Sequence, residues 1–343
     1  MPPVPATPPP THSTVEALRR SYDGRPPSHA FVGRTAELFA AWRRGGVERL
    51  RRIYRLRREP AVGPARCVGS TQHDGYREER LVLRAPDGVE LPAYLLVPVG
   101  RQDGPFPALV FLHGHGATAE HVLGRAEPDA GASEDALAYL RSLQWVEAAP
   151  RAGYLCLIPE HRGFGALAEP KGGCQHAYLN ALALGRTLQG MRLADLIRWV
   201  DHLAARPDVR SDRIAVGGVS LGGELSVLLA LFDRRIAAAI SAGFVRAWRD
   251  QIAAESFCGC AYAPGLLAAF DVPELAGLIA PRPLLVQTGD REPLYPRALA
   301  EAGIERARAI YAAAGGRLDA SVFPGRHEFD GPGALAWLQG LWR

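Results

Sequence analysis

Ser220 lies in the run GGVSLGG (217 to 223), between Gly218 and Gly222. The five-residue Gly-x-Ser-x-Gly pattern is weakly specific alone, but its surroundings say more. It follows the apolar run RIAVGG (213 to 218) and opens the helical run LGGELSVLLALF. Such a strand, sharp turn and helix would lift a serine hydroxyl clear of a sheet edge. A hydroxyl is a poor nucleophile until a base takes its proton, and an imidazole does so near neutral pH. Of the ten histidines, His327 in FPGRHEF stands after the last predicted strand and before the final predicted helix. Between serine and histidine, in QTGDREPLYP, Asp290 and Glu292 follow the apolar run PLLVQ. Either carboxylate could hold the imidazole in one tautomer and stabilise the imidazolium, and position leaves both open. The chain order is nucleophile, acid, base.

Attack on a carbonyl creates an oxyanion, which needs two N–H donors. Leu221, directly after the serine, would supply one. The second is expected from the loop LHGHGAT after the third predicted strand, at the amide of His115 or, as alternative, Gly116. The spacing of His113, His115, His161 and His176 matches no zinc motif, so no metal is expected from them. Cys258 and Cys260 read as buried inert thiols rather than reactive ones.

The elements that must position these groups follow from hydrophobic patterning. Short apolar runs at 80–85, 92–98, 107–113, 153–159, 213–218, 236–241, 283–287 and 319–324 predict eight strands. Helical stretches are predicted at about 134–149, 186–205, 221–232, 266–279, 296–314 and 332–342. Strands apolar throughout and separated by helices predict an α/β fold, a mostly parallel sheet covered on both faces, with an antiparallel start at its first two strands. Residues 1–30, rich in Pro, Ser and Thr, predict a flexible tail or extended strap. Residues 31–75 predict an Arg-rich helical extension, an amphipathic helix pair over 31–58, packed on a catalytic domain at 76–343. No internal repeat is visible.

The chain has 343 residues, with 48% hydrophobic and 22% charged, the composition of a globular protein with a sizeable core. Its formal charge is only +4, and Lys171 is the one lysine among 40 basic residues. No nucleic-acid partner is expected from so thin a charge. Five cysteines, an odd number, fit a reduced intracellular setting. No signal-peptide pattern is visible and no run reaches the roughly 18 apolar residues of a membrane span, so a cytoplasmic protein without a membrane partner is expected.

Beyond the serine turn, the segments LHGHG (112–116), HRGFG (161–165), YLNALALGRTLQGMRLADL (178–196), CGCAYAPGLL (258–267), LIAPRPLL (278–285) and HEF (327–329) resemble the α/β-hydrolase superfamily. The likeness is narrower with its dienelactone-hydrolase-like and acetyl-xylan-esterase-like members, and it runs from about Gly75 to the C-terminus. It implies an α/β-hydrolase fold and a cofactor-free Ser-His-acid hydrolase, a serine esterase acting on small-molecule carboxylic esters, lactones or acylated sugars. Dienelactone hydrolases use a cysteine nucleophile, so Ser220 points toward the esterases. In these families the acid stands in a G-x-x-D-x-x-x-P turn. Gly289 and Pro296 lay that position on Glu292, a glutamate where aspartate is usual, with Asp290 as the alternative acid. The long segment 243–273 is expected to overhang Ser220, with Trp248, Phe257 and Tyr262 as candidate pocket walls, and Arg162 is expected to buttress the fold. A serine peptidase, a biosynthetic acyltransferase or cyclase, and a non-catalytic ligand-binding module on the same fold are the alternatives. Oligomeric state, a homo-oligomer included, is left open.

Overall fold

Residues alternate between the two faces of a β-strand, so a strand with both faces covered must be apolar throughout. In the run 106–112, Phe106, Ala108, Val110 and Leu112 enter one buried cluster while Leu109 and Phe111 enter another. The same division holds at 214–219, where Ile214 and Val216 face one way and Ala215 and Val219 the other. The computed structural model describes residues 12–23, 25–57, 63–100, 104–249 and 257–343.

Nine strands among the described residues form one sheet: β1 (Arg66–His73), β2 (Tyr76–Arg84), β3 (Glu90–Pro98), β4 (Phe106–Leu112), β5 (Leu155–Pro159), β6 (Val209–Val219), β7 (Ile236–Ala242), β8 (Leu284–Gly289) and β9 (Leu318–Phe323). Their order is β1-β2-β3-β5-β4-β6-β7-β8-β9. The pairings β1/β2, β2/β3 and β3/β5 are antiparallel, and every pairing from β5/β4 to β8/β9 is parallel. The helices Ala36–Ile53, Leu188–Ala204, Leu221–Phe232 and Arg297–Ala314 contribute to one cluster; Glu134–Leu143 and Gly331–Leu341 contribute to the other. The parallel strands deliver their carboxyl ends to one edge, where the loops carrying the candidate residues begin.

Several expectations need correction. The sheet has nine strands rather than eight, because β1 lies inside the stretch expected to be helical. β1 is largely exposed, so it carries no apolar alternation, and it is held by backbone pairing to β2 across a hairpin. Of the segment expected to hold a helix pair, 31–58, the described residues 31–57 hold one helix, Ala36–Ile53; the Phe31 ring instead packs against Trp42, centroids 4.9 Å apart. Within 1–30, a helix spans Thr14–Tyr22: Ser13 caps it by accepting from the Glu16 N–H, and Glu16 pairs with Arg20 at 2.9 Å. Residues 1–11 of the expected tail lie outside the described residues, while Ser28 and His29 donate backbone hydrogen bonds to Ala268 and Ala269, as a strap would. The stretches 134–149 and 266–279 each break into two helices, and a helix at Gly173–Ala183 went unpredicted.

The helix Ala36–Ile53 is integral to the core: Leu50 and Tyr54 are fully buried. The Arg43 guanidinium donates to the Leu278 carbonyl at 2.9 Å, and Thr187 Oγ1 to the Tyr54 carbonyl at 2.6 Å. No helix among the described residues is long and apolar enough to cross a membrane.

Candidate active site

Ser220 stands at the end of β6 with φ 59° and ψ −120°, a conformation open to glycine and strained for other residues. The strain is held from both sides: its N–H donates to the Ala242 carbonyl, and its own carbonyl accepts from the Glu224 N–H, each at 2.9 Å. The turn must be glycine-rich because a Cβ at either Gly218 or Gly222 would collide with the Leu112 carbonyl oxygen of β4. Leu221 opens the helix Leu221–Phe232, so its N–H is among those without an intrahelical acceptor and sits at the positive end of the helix dipole.

His327 follows β9 after a short turn. Its Nδ1 lies 2.8 Å from Glu292 Oε2, and the other oxygen of Glu292 accepts from the Leu294 N–H at 3.0 Å. The Glu292 carboxylate is almost wholly buried, and His327 Nε2 has no hydrogen-bond partner among the described residues. With Nδ1 protonated toward Glu292, Nε2 is left as the acceptor. Gly243, at φ 62° after β7, makes room for the ring, since a Cβ there would stand 2.8 Å from His327 Cε1. Asp290 does different work: it accepts from the Gly325 N–H at 3.0 Å and lies near the Arg291 guanidinium at the surface. The hydrogen bond from Gly325 holds its carboxyl below the usual aspartate range. Glu292, then, is the carboxylate in contact with His327, and Asp290 instead braces the turn beside it.

The His113–Gly116 loop lies beside Ser220, as a Cβ on Gly114 would come within 3.1 Å of Ser220 Cβ and even closer to Tyr139 Oη. His113 anchors this loop: its Nε2 lies 2.8 Å from Glu160 Oε1, and Glu160 also accepts from the Ala119 and His161 N–H groups. Burial first, then the His113 and Arg192 charges, push the His161 pKa well down. His115 turns its ring toward Cys174, and His176 is exposed on the helix Gly173–Ala183, so the four histidines considered for a metal do not converge. Gly116, at φ 81°, makes the turn out of the loop. Arg162 lies behind this wall, paired with Asp87 at 2.7 Å and Asp195 at 2.6 Å, the buttress its place in the chain suggested.

Ser220, Leu221, His115 and His327 line one cavity of about 330 Å³, together with Glu224, Phe244, Arg246, Trp248, Phe257 and Leu294. A larger cavity of about 540 Å³ between Gly75, Pro98, Phe106 and Arg151 offers no nucleophile beside a base. Trp248 and Phe257 are walls as expected, whereas Tyr262 stands behind Trp248, rings 5.5 Å apart, and accepts from the Phe257 N–H. Sequence reasoning missed Arg246 and Glu224. The Arg246 guanidinium lies over the rings of Tyr295 (4.5 Å) and Phe257 (5.0 Å). Burial lowers its pKa, and nearby Tyr295 and Glu292 act to raise it. Burial pushes the Glu224 carboxyl up to about 7, against a hydrogen bond from Gln189 and the charges of Arg192 and Arg246. No local motif marks either residue; Glu224 falls four positions after Ser220, one helical turn on, which was the available signal.

A sequence model described as Abhydrolase family matches residues 12–295. The Bacillus subtilis (strain 168) protein named "Putative hydrolase YtaP" is 29% identical over 243 residues, 69% of this chain and 77% of its own. Among solved structures, one from Bacteroides fragilis NCTC 9343 described as a "putative acetyl xylan esterase" superposes with a TM-score of 0.80 at 18% identity, over 97% of this chain and 96% of its own. A glucuronoyl esterase from Solibacter usitatus does so with a TM-score of 0.66 at 16% identity, over 93% and 98%. At such identities the superpositions speak for the fold, which is that of the α/β-hydrolases, and the match over residues 12–295 makes this chain a member of the Abhydrolase family.

Proposed function

We propose that the protein is a serine esterase that cleaves small carboxylic esters, lactones or acylated sugars through an acyl-enzyme. The observation that carries the reading is the convergence of a strained Ser220 and a Glu292-oriented His327 on one cavity. Ser220 Oγ attacks the ester carbonyl as His327 Nε2 takes its proton. The oxyanion accepts from the Leu221 and His115 amides. Collapse breaks the acyl–oxygen bond, and the leaving alkoxide takes the proton from His327. Water, deprotonated by the same imidazole, then attacks the acyl-enzyme and releases the carboxylic acid and free Ser220. Glu292 stabilises the imidazolium in both halves.

The cavity of about 330 Å³ favours a compact substrate, being near the lower end of small-molecule pockets. Phe244, Trp248, Phe257 and Leu294 suit an apolar acyl or ring face, while Arg246 and Glu224 offer polar contacts at the same wall. Sugar esters fit this mixture, and esterases of that class are among the proteins sharing the fold. Ser220→Ala should lower p-nitrophenyl acetate turnover by at least about 10³-fold with an unchanged unfolding transition. Turnover near the wild-type rate in that variant would remove Ser220 from the role. A panel of acyl esters against dipeptide amides separates esterase from peptidase.

A further inference from the structure

Three cysteines and a histidine meet beside the cavity, brought from three separate segments. His115 comes from the loop after β4, Cys174 from the first turn of the helix Gly173–Ala183, and Cys258 and Cys260 from the 3-10 turn around Gly259–Ala261. His115 Nε2 lies 3.3 Å from Cys174 Sγ, and Cys174 Sγ lies 3.4 Å from Cys258 Sγ. The four donor atoms all fall within 4.8 Å of one another. A tetrahedral zinc ion with Zn–S near 2.3 Å and Zn–N near 2.0 Å separates its donors by about 3.5–3.8 Å, so this set needs only small side-chain adjustments to close on one ion. We propose that His115, Cys174, Cys258 and Cys260 form a Cys₃His site for a structural zinc ion.

The surroundings fit that charge. Three thiolates, a neutral imidazole and Zn²⁺ sum to −1, and the buried Arg192 guanidinium brings +1 to the cluster. Its Nη1 stands 3.6 Å from Cys260 Sγ and donates to the Cys260 carbonyl. Its Nη2 has no hydrogen-bond partner among the described residues. That nitrogen lies beside Cys174: a Cβ on Gly163 would touch Cys174 Cβ at 2.9 Å and Arg192 Nη2 at 3.4 Å. A buried N–H without an acceptor is costly, and a metal-bound thiolate supplies one. Gly259, between the two cysteines of the turn, lets it sit on the Tyr178 ring of the same helix that carries Cys174. A disulfide would use two of the three sulfurs and leave the third with His115; zinc uses all four donors. The remaining cysteines are elsewhere, Cys67 exposed and Cys156 buried in β5.

The ion would tie the His115 loop to the far wall of the cavity, fixing the amide that the esterase reading assigns to the oxyanion, although the site stands without that reading. The test uses the full chain purified under reductant. Elemental analysis should find one zinc per chain, and the chelator-stripped protein should take up Co²⁺ with a thiolate-to-metal charge-transfer band and tetrahedral ligand-field bands. Cys174→Ser with Cys260→Ser should lose both signals, and a strong chelator should lower the melting temperature of the wild type but not of that variant. Should the variant fail to fold, the cobalt spectrum of the wild type decides. Substoichiometric zinc with no cobalt–thiolate band would overturn the proposal, as would a Cys174–Cys258 disulfide that, once reduced, yields a protein binding neither metal.

Discussion

At the scale of single residues, the acid opposite His327 is a matter of reach. Asp290 is spent on the Gly325 N–H, while Glu292, two residues on, extends inward to Nδ1 at 2.8 Å. Glu292→Gln should lower kcat by about 10³ to 10⁴-fold, by analogy with amide replacement of a triad acid, and Asp290→Asn should leave it essentially unchanged. If steady-state kinetics show the reverse, the acid is misassigned. Glu224 makes a second prediction. Its carboxyl titrates near 7 in the fold but near the ordinary glutamate value when unfolded, so the native state holds the extra proton between those values. The fold is therefore favoured at low pH and loses stability as pH rises toward 7, by up to a few kcal/mol. Glu224→Gln should flatten that slope in denaturant titrations at pH 5, 6, 7 and 8, matching the wild type at pH 5 and exceeding it at pH 8. An unchanged slope would place the titration elsewhere.

At the scale of elements, the helix Arg297–Ala314 sets the cavity wall through Gly303, where a Cβ would stand 2.6 Å from the backbone of Arg246. Gly303→Ala must push the helix and the chain at Arg246 apart, at a cost of about 1–3 kcal/mol. The melting temperature should fall by a few degrees and KM should rise more than kcat falls; equal effects on both would deny Arg246 a part in binding. Element scale is also where the reading of the sequence succeeded and failed. Strands such as β4 and β6 are buried on both faces and announce themselves as unbroken apolar runs. β1 lies almost wholly in solvent and owes its place to backbone pairing, which leaves no trace in side-chain polarity. The helix Gly173–Ala183 buries only Cys174 and Ala181, too little for an apolar stripe. Ser220 and His327 sit in short local motifs and could be found without the fold. Arg246, Glu224 and Cys174 acquire their neighbours only when distant segments meet, which composition and spacing do not encode.

At the scale of the whole molecule, the helix Ala36–Ile53 is part of the core rather than an appendage. Leu50 and Tyr54 are fully buried, and Gly46 packs on Leu278 and Phe270. Removing residues 1–57 should bare that apolar face, giving ANS binding and loss of near-UV circular dichroism; a cooperative, dye-free truncated protein would show that the sheet closes without it. The strain at Ser220 also belongs to the stability of the whole chain. A φ of 59° suits glycine better than serine, so Ser220→Gly should raise the unfolding free energy by about 1 kcal/mol while removing the proposed nucleophile. Selection or screening for thermal resistance alone would therefore reward the loss of the hydroxyl. A library sorted only for survival on heating would drift at this position toward sturdier proteins with nothing to attack a substrate.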